Sequence, residues 1–336
     1  MLQKPFIIAE IGVNHECQLD RAFKLIDQAV EGGADAAKFQ TYKAIDLART
    51  DSPSYWDLKK EKTKTQRELF KKFDCFNLED YVEIKEYCSK KGIEFMSTPF
   101  SNEAFEWIDP LVSRHKLSSS DMTNVELIEK MINSNKPIIA STGAANIQEV
   151  DELVETFSKV EDFTLLHCML SYPTKISDAN LVNIRFFKER YPNIKIGYSD
   201  HLTSRYIHAL FSSYVLGATV LETHFTDDKK ALGNDHYHAL DKNDLKVLVK
   251  WCSDFSNAYG AIRDSFFNCE KVSRVQARRS ITSKVNIKAG DILSFDNLTL
   301  KRPGDGIHPN RLKDLCGKLA KSDLSEDSLI PDYWLD

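Results

Sequence analysis

The sequence predicts an α/β protein: a (β/α)8 TIM barrel followed by a small β-rich domain. Eight short apolar runs alternate with amphipathic stretches as far as about residue 260, and this alternation is typical of a parallel barrel. No glycine-rich loop follows the first run, although an open dinucleotide-binding sheet would need one there. The 336 residues exceed the roughly 250 of an ordinary barrel, so the tail is long enough to form a domain of its own.

The eight runs are expected to form buried strands, because they are short and apolar and most are followed by polar, glycine or proline residues. They lie at 6–12, 36–41, 93–98, 115–119, 137–142, 163–168, 194–200 and 218–225. Between them, apolar residues recur at helical spacing at 21–31, 125–132, 147–157, 179–190 and 204–216. Gly33, Gly92 and Gly217 follow three helical stretches, where a glycine that ends a helix is expected.

Two segments depart from this rhythm. Residues 49–74 are charged and lysine-rich, so we expect a helical excursion on the solvated surface between the second and third barrel units. After about residue 268 the apolar runs become shorter, and a turn sequence occurs at 288–291. The predicted domains are therefore a barrel at 1–268, an ordered linker at 269–277 and a β-rich domain at 278–336.

The composition, 42% hydrophobic and 28% charged, is that of a soluble globular protein. The net charge of −5 gives no reason to expect nucleic acid or an anionic membrane as a partner. The seven cysteines are odd in number and irregularly spaced, which argues against a disulfide framework or zinc cluster and for a reducing compartment. Because the sequence shows neither a signal-type start nor a long apolar run, we expect a cytoplasmic protein.

Lys38 and Lys116 lie inside predicted strands, where a buried lysine requires a partner. A ligand that carries both a phosphate and a carboxylate would neutralise the two lysines. Hydroxyl groups near other strand ends could donate hydrogen bonds to the same ligand, namely those of Thr98, Ser119, Ser141 and Ser199. Two alternatives remain open: a structural ion pair, for example Lys38 with Glu10, and a lysine that forms a Schiff base.

His201 and His224 lie at the ends of the seventh and eighth runs, which are neighbours in a barrel. Two imidazoles on adjacent strand ends can share one metal ion and leave positions open for water and substrate. Glu10, Asp121 and Asp235 are candidate acid/base or sugar-binding groups. For each of these residues, a purely structural role is the alternative.

The strand ends carry the strings IAEIG at 8–12, KFQT at 38–41, STPF at 97–100, GYSDH at 197–201 and HFT at 224–226. Together, and in this order, they resemble the sialic acid synthases, a family that includes legionaminic and pseudaminic acid synthases and spore-coat polysaccharide relatives. The tail from Arg278 onward resembles the antifreeze-like (SAF) domain of that family. The resemblance spans essentially the whole chain.

The resemblance implies a condensation of phosphoenolpyruvate with an open-chain N-acetylated amino sugar, which yields a nine-carbon 2-keto-3-deoxy acid and phosphate. It implies a phosphoenolpyruvate site formed by Lys38, Thr98, Lys116, Ser119, Ser141, Tyr172 and Ser199. Sugar contacts are expected from Glu10, Tyr172, Asp235, His236 and Arg302. The groups expected to act in the reaction are Glu10, Lys38, Lys116, Asp121 and Asp235.

The resemblance also implies a metal ion bound by His201 and His224, with manganese expected and magnesium or cobalt as alternatives. The ion would polarise the aldehyde of the sugar as a Lewis acid. Members of the family are domain-swapped homodimers, so Arg302 is expected to reach the sugar site of the partner.

Several positions depart from the family pattern. Glu16 and Cys17 replace an Asn-Gly pair after the first strand, and Leu170 replaces an asparagine after the sixth. The Gly-Pro-Asp-His stretch of the family becomes the altered segment 233–239, in which His236 and His238 could line a changed sugar pocket. These changes leave the type of reaction intact and leave the identity of the sugar open.

Two other functions remain as alternatives. The first is a metal-dependent aldolase or lyase that acts on a keto acid without phosphoenolpyruvate, and phosphate release would distinguish it from a synthase. The second is a carbohydrate-binding protein without catalysis, in which the charged strand ends would be dispensable. Two lysines surrounded by hydroxyl groups favour the synthase, because they suit a ligand with a phosphate and a carboxylate.

Overall fold

The computed structural model describes residues 3–56, 58–59, 61–233 and 235–336. The chain divides into two compact units, Met1–Gly260 and Ala261–Asp336. This division lies ahead of the predicted barrel end at 268. Residues 269–277, predicted as an ordered linker, contain the helix Lys271–Gln276 and group with the second unit.

Eight parallel strands form the sheet of the first unit, in the order β3-β2-β1-β8-β7-β6-β5-β4. They are β1 (Phe6–Gly12), β2 (Ala36–Thr41), β3 (Glu94–Pro99), β4 (His115–Leu117), β5 (Ile138–Ser141), β6 (Phe163–Cys168), β7 (Lys195–Asp200) and β8 (Val220–His224). Each coincides with a predicted run apart from one or two end residues, so the predicted barrel is confirmed. Within the described ranges, β3 and β4 are the one pair of consecutive strands without a ladder.

Helices follow the strands and surround the sheet. They are α1 (Leu19–Gly32), α2 (Ala44–Leu47), α3 (Gln66–Phe70), α4 (Leu78–Lys91), α5 (Asn102–Ile108), α6 (Val125–Asn133), α7 (Ile147–Thr156), α8 (Val182–Arg190), α9 (Ile207–Val215), α10 (Lys242–Tyr259), α11 (Lys271–Gln276) and α12 (Leu312–Leu315). Among the described residues, no helix is both long and apolar enough to cross a membrane.

Local sequence signals set the ends of these helices. Asn77 caps the start of helix α4: its side chain accepts the Asp80 amide, while the Asp80 carboxylate accepts the Asn77 amide. This reciprocal capping satisfies two backbone donors at the start of the helix. The helix ends at Gly92, whose φ of 72° places it in the left-handed region that glycine adopts without strain.

The interior of the barrel has an apolar layer with a polar layer above it. The apolar layer consists of Ile8, Ala36, Met96, Ile139, Leu166 and Val220. Side chains in a strand alternate between its two faces, so the residue two positions further along also points inward. Those next inward residues are Glu10, Lys38, Thr98, Ser141, Cys168 and Glu222, all of them buried. The strand period therefore builds a polar layer at the carboxyl ends of the strands.

The segment 49–74 differs from the helical surface excursion that the sequence predicts. Its one regular helix is the short α3, and Pro53 and Thr65 form an isolated antiparallel bridge. Trp56 is buried, and its indole Nε1 donates to the carbonyl oxygens of Glu61 and Thr63, both at 3.2 Å. The helical part of the prediction is wrong, whereas most of the described residues of the segment are exposed or half-buried, as expected for a surface insertion; residues 57 and 60 lie outside the described ranges.

The second unit has its own core. Strands β9 (Ser280–Ser283) and β10 (Leu298–Lys301) pair in an antiparallel ladder. Three isolated bridges extend this β structure: Thr282 with Leu329, Ile287 with Leu324, and Ile292 with Leu319. Trp334 is fully buried in a cluster with residues such as Ile281 and Leu298. This small β-rich unit matches the expectation for the tail.

One pair of cysteines contradicts the expectation drawn from their number and spacing. Cys17 and Cys75 form a disulfide across a sequence separation of 58 residues. Cys17 follows β1 in a left-handed conformation with a φ of 61°, and Cys75 lies shortly before α4. The pairing depends on how these loops fold together, which cysteine spacing does not reveal.

We expect the substitution Gly197→Ala to destabilise the barrel. A Cβ atom at this position of β7 would lie 2.4 Å from Leu166 Cδ2 and 2.5 Å from the carbonyl oxygen of Val220. Such overpacking costs about 1–3 kcal/mol or more, to be measured by urea unfolding. Lys195→Ala, at the exposed start of the same strand, should change stability little. An unchanged urea midpoint for Gly197→Ala would contradict the tight packing of this layer.

We expect part of the stability to be lost on acidification through His115. This side chain is fully buried, and burial lowers its pKa to about 4 although Asp109 lies 3.1 Å away. The folded state holds the ring neutral, whereas the unfolded chain binds a proton below about pH 6.5. The stabilisation is therefore complete above pH 6.5 and declines as the pH falls towards 4.

The measurement is urea unfolding at pH 7 and pH 4.5. The wild type should lose about 2 kcal/mol more free energy of unfolding over this interval than His115→Gln, which has no titrating ring. Equal losses in the two proteins would show that His115 does not contribute to the acid sensitivity.

Candidate active site

A cavity opens at the carboxyl ends of the barrel strands, where TIM barrels carry their active sites. Its volume is about 550 Å³, within the range of small-molecule sites. It is lined by twelve of the residues predicted from sequence: Glu10, Lys38, Thr98, Lys116, Ser119, Asp121, Ser141, Tyr172, Ser199, His201, His224 and Asp235. The strand-end pattern thus predicted which part of the barrel forms the cavity.

Lys38 forms the ion pair with Glu10 that the sequence left open as an alternative. The two residues are register neighbours on β1 and β2, and Lys38 Nζ lies 2.6 Å from Glu10 Oε2. Lys38 also donates to Thr98 Oγ1 at 3.0 Å. Since all three residues line the cavity, the ion pair belongs to the site and does not exclude a role for Lys38 in ligand binding.

Glu222 links the two buried lysines, and sequence reasoning missed it. Its Oε2 lies 3.6 Å from Lys38 Nζ and its Oε1 lies 3.7 Å from Lys116 Nζ. Ser199, its register neighbour on β7, donates to Oε1 at 2.9 Å. The sequence did contain a signal for Glu222: it lies two residues before His224 on β8, so its side chain is expected to point to the same, inward face of the barrel.

The pKa values in this network reflect burial and pairing. Burial lowers the pKa of Lys116, with Glu222 opposing it, whereas Glu10 and Glu222 outweigh burial at Lys38 and raise its pKa. Burial raises the pKa of Glu10 although Lys38 opposes it. Lys116 and Lys38 outweigh burial at Glu222 and lower its pKa. The proton of Lys116 is therefore the more weakly held of the two lysine protons, and Glu222 is the stronger acid of the two carboxyls.

Hydroxyl groups surround the lysines. Lys116 Nζ donates to Ser141 Oγ at 2.8 Å and to the carbonyl oxygen of Leu117 at 3.1 Å. Ser119 Oγ accepts the amide of Gly143 at 2.9 Å, which fixes this serine at the cavity wall. Hydroxyls held in this way can donate to the oxygen atoms of an anionic ligand.

Asp121 and Tyr172 lie on the walls of the cavity. Asp121 accepts hydrogen bonds from Ser118 Oγ at 2.5 Å and from Asn124 Nδ2 at 3.2 Å, so its carboxylate is anchored to its own turn. The ring of Tyr172 packs on His201, with centroids 4.1 Å apart. Burial raises the pKa of Tyr172 well above its usual value, which keeps its hydroxyl protonated at neutral pH.

His201 and His224, the predicted metal ligands, face each other with ring centroids 5.4 Å apart. His201 Nδ1 lies 2.7 Å from the carbonyl oxygen of Met169, which suits an N–H donor and leaves Nε2 available as a ligand. Burial lowers the pKa of His224 well below its usual value, so this ring is neutral. At His201, Cys168 and the Met169 carbonyl outweigh burial and raise the pKa to about 9, so a metal ion at Nε2 would have to displace a proton.

Asp235 lies beside His224, with Oδ2 3.6 Å from Nδ1. Burial and the neighbouring Glu10 raise the pKa of Asp235 to about 7. A carboxyl with this pKa can bind or release a proton near neutral pH. Asn234, where the chain departs from the proline of the family pattern, lies outside the described residues.

His238 is a further member of this region. Donor atoms of His224, Asp235 and His238 all lie within 4.8 Å of one another, the one such trio of possible metal ligands among the described residues. Two imidazoles and a carboxylate suit a divalent first-row metal ion. This trio fits the metal that the resemblance implies; it includes His224 of the two predicted ligands and does not include His201.

Of the two remaining predicted sugar contacts, His236 is placed outside the cavity lining. Its Nδ1 lies 2.7 Å from Thr226 Oγ1 and its Nε2 lies 3.2 Å from Glu16 Oε1. These bonds occupy both ring nitrogens and connect the loops after β1 and β8. Arg302 belongs to the second unit, and its role stays a prediction.

Aromatic residues of the segment 49–74 complete the cavity wall. Tyr55, Phe70 and Phe73 line it together with Leu170, which replaces the asparagine expected after β6. Sequence reasoning assigned this segment to the surface because its lysines dominate its composition. Its aromatic residues were the signal that could have placed it at the site.

The chain matches the model of the NeuB family over residues 25–264 and that of the SAF domain over residues 278–332. It is 35% identical to the N,N'-diacetyllegionaminic acid synthase of Campylobacter jejuni, over 98% of this chain and 99% of the relative. It is 33% identical to a pseudaminic acid synthase of Campylobacter jejuni, over 96% of this chain and 94% of the relative.

Among solved structures, the chain resembles an N-acetylneuraminic acid synthetase from Leptospira borgpetersenii. The TM-score is 0.72 at 31% identity, over 81% of this chain and 90% of that one. The eight-stranded barrel, its cavity and these relatives lead to one conclusion: the chain belongs to the NeuB family and is an enzyme of the sialic acid synthase type, with a SAF domain after its barrel.

Proposed function

We propose that the enzyme condenses phosphoenolpyruvate with an open-chain aldose, N-acetylmannosamine or a related hexose, to form a 2-keto-3-deoxy nonulosonic acid and phosphate. The names of the relatives support this class of product, because they describe synthases of legionaminic and pseudaminic acids. Phosphoenolpyruvate and the aldose are the small-molecule partners of the reaction.

The observation that carries the proposal is the pair of buried lysines in a cavity lined with hydroxyl groups. Lys38 and Lys116 are each 3% exposed, and Glu222 lies between them. A ligand with one carboxylate and one phosphate would provide each ammonium group with an anion at hydrogen-bonding distance. Phosphoenolpyruvate has these two anionic groups on a three-carbon skeleton.

The lysines and hydroxyls would bind and orient phosphoenolpyruvate. Lys116 with Ser141, and Lys38 with Thr98, already form hydrogen-bonded pairs, so each pair can contact one anionic group without large rearrangement. Ser119 and Ser199 also line the cavity, and their hydroxyls could donate to the same oxygen atoms. Such preorganisation places carbon 3 of the ligand towards the aldose and reduces the entropy lost on reaction.

The aldose would bind beside the phosphoenolpyruvate, next to Glu10, Asp235 and Tyr172. In the reaction, carbon 3 of phosphoenolpyruvate forms a bond to the aldehyde carbon and the aldehyde oxygen gains a proton. Water then adds to carbon 2, and phosphate leaves as the keto group forms. Asp235, which lies beside His224, would help to hold the aldehyde end of the aldose while solvent supplies the proton, and Asp121 lies at the wall nearest the serines.

We further propose that His201 and His224 hold a divalent metal ion, with manganese first and magnesium or cobalt as the other candidates. When bound, the ion would polarise the aldehyde carbonyl as a Lewis acid. The carbonyl oxygen of Met169, 2.7 Å from His201 Nδ1, supports this assignment, because a ligating imidazole usually donates its second N–H to such a partner.

The decisive experiment measures phosphate release from phosphoenolpyruvate with manganese and a panel of aldoses. The panel contains N-acetylmannosamine, its 6-phosphate, mannose, and diacetylated sugars of the bacillosamine and altrose series. Release with one sugar, together with formation of the nonulosonic acid, is the expected result. A keto-acid aldolase or lyase would release no phosphate from phosphoenolpyruvate and would cleave the nonulosonic acid to pyruvate.

We expect Lys116→Met to lower kcat/KM for phosphoenolpyruvate by about 100-fold or more, as loss of one buried electrostatic contact to reacting oxygens does. Lys195→Met is the matched control, because Lys195 lies at the opposite, exposed end of a barrel strand, and it should retain wild-type kinetics. Near-normal turnover by Lys116→Met would remove this lysine from the phosphoenolpyruvate site.

We expect a chelator to abolish phosphate release and added manganese to restore it. His201→Ala should show little activity at manganese concentrations that saturate the wild type, because one of its two predicted imidazole ligands is missing. His208→Ala, a histidine outside the cavity lining, is the control. Full activity after exhaustive chelation would rule out the metal requirement.

A further inference from the structure

His238 is a buried polar side chain for which the fold provides no hydrogen bond. It is 1% exposed, and within the described part of the chain neither Nδ1 nor Nε2 has a hydrogen-bond partner. Leaving buried polar atoms without partners costs about 1–3 kcal/mol each. By contrast, both ring nitrogens of His236, two residues earlier, have partners. His238 is therefore the exception in its own loop.

The surroundings of His238 are those of a ligand site. Its ring lies 4.6 Å from that of His224, in an edge-to-face arrangement, and 5.8 Å from that of Tyr172. His224 Nδ1 is also buried without a hydrogen-bond partner in the described residues. Unsatisfied nitrogen atoms from two imidazoles thus converge on the space beside the Asp235 carboxylate.

The spacing of these atoms matches one shared ion. Donor atoms of His224, Asp235 and His238 lie within 4.8 Å of one another. Two ligand atoms on the same first-row ion are at most about 4.2 Å apart, since each bond is about 2.1 Å long. Small rotations of side chains would therefore bring all three donors to bonding distance.

We propose that His238 is a protein ligand of the divalent metal ion, together with His224 and Asp235. This inference rests on the metal site of the proposed function and adds a third side chain to it. His201 also lies near His224, with ring centroids 5.4 Å apart. The ion would then be bound by Asp235 and His238 in addition to histidines at the strand ends.

The added imidazole changes which ions the site prefers. Two histidines and one carboxylate form a donor set that suits iron(II), cobalt(II), manganese(II) and zinc(II) and leaves positions for substrate. Magnesium prefers oxygen ligands and keeps several of its waters. The site should therefore bind cobalt far more tightly than magnesium, and His238 should account for part of the difference.

A packing role for His238 predicts different behaviour. If the ring served only as an aromatic filler beside Tyr172 and His224, its nitrogen atoms would have no function, and a phenyl ring would replace it without effect on metal binding. His238→Phe keeps the aromatic shape and removes both donors. His236→Phe applies the same change two residues away, to a ring whose nitrogens are already bonded within the protein.

The test is cobalt binding by the full-length enzyme after removal of metal with a chelator, without substrate. Visible absorption reports the coordination of cobalt, and equilibrium dialysis gives Kd. We expect His238→Phe and His238→Ala to weaken cobalt binding at least 10-fold and to alter the spectrum, whereas His236→Phe retains wild-type affinity. The difference between the Kd values for cobalt and magnesium should also become smaller in the His238 variants.

Thermal unfolding of the same proteins, with and without cobalt, separates an effect of a substitution on metal binding from an effect on folding. A ligand raises the melting temperature of the state it binds, so cobalt should raise Tm for the wild type and His236→Phe more than for the His238 variants. Without metal, His238→Phe should melt at the wild-type temperature or above it, because it removes unpaired buried nitrogens.

Two outcomes would overturn the proposal: unchanged cobalt affinity and spectrum in both His238 variants, or an equal loss of affinity in His236→Phe, which would assign the effect to the loop. Failure of the proposed function gives a different result. If the wild type itself bound neither cobalt nor manganese, the metal site of the proposed function would be ruled out. If the wild type bound cobalt and His224→Ala abolished binding while the His238 variants bound it normally, the metal site would stand and only the role of His238 would be ruled out.

Discussion

The structure depends on one electrostatic constraint: two lysines and two carboxylates share the interior of the barrel. Burying an unpaired charge is very costly, yet Lys38, Lys116, Glu10 and Glu222 are all at most 6% exposed. They persist because each lies within 3.7 Å of an opposite charge. The pairs in turn require that neighbouring strands keep their register, since Glu10 is opposite Lys38 and Ser199 is opposite Glu222. A slip by one residue would turn these side chains out of the interior.

The same constraint prepares the cavity for ligands that carry negative charge. In the structure, carboxylates of the protein neutralise the lysines, so an incoming carboxylate or phosphate competes for ammonium groups that are already desolvated and aligned. Glu10 can then turn to other partners, because it also accepts Gln40 Nε2 at 2.9 Å. Because the charged side chains are buried, each new electrostatic contact with them is stronger than it would be in water.

The sequence predicted the features that follow from the periodic spacing of residues, namely the barrel strands and most of the cavity lining. It did not predict features that arise from contacts between segments distant in sequence. Period-two alternation and the strand-end rule located the barrel and most of the cavity lining, including Lys116, whose charge stands out in an apolar run. Glu222 escaped notice because its role arises from Lys38 and Lys116, which are far away in sequence. The cavity wall around Phe70 and the Cys17–Cys75 disulfide depend on how an irregular segment folds onto the barrel, and composition carries no information about that.

Most of the departures from the family pattern lie in two loops. Glu16 and Cys17 follow β1 and His238 follows β8, whereas His236 retains the histidine of the family pattern. Glu16 contacts both His236 and Arg21, so the two loops are joined. These loops border Asp235 and the two imidazoles of His224 and His238, whereas the lysines and hydroxyls on the other side keep the family pattern, with Leu170 as the exception. The altered loops therefore adjoin the proposed aldose and metal sites, whereas Lys38 and Lys116 lie among the retained residues.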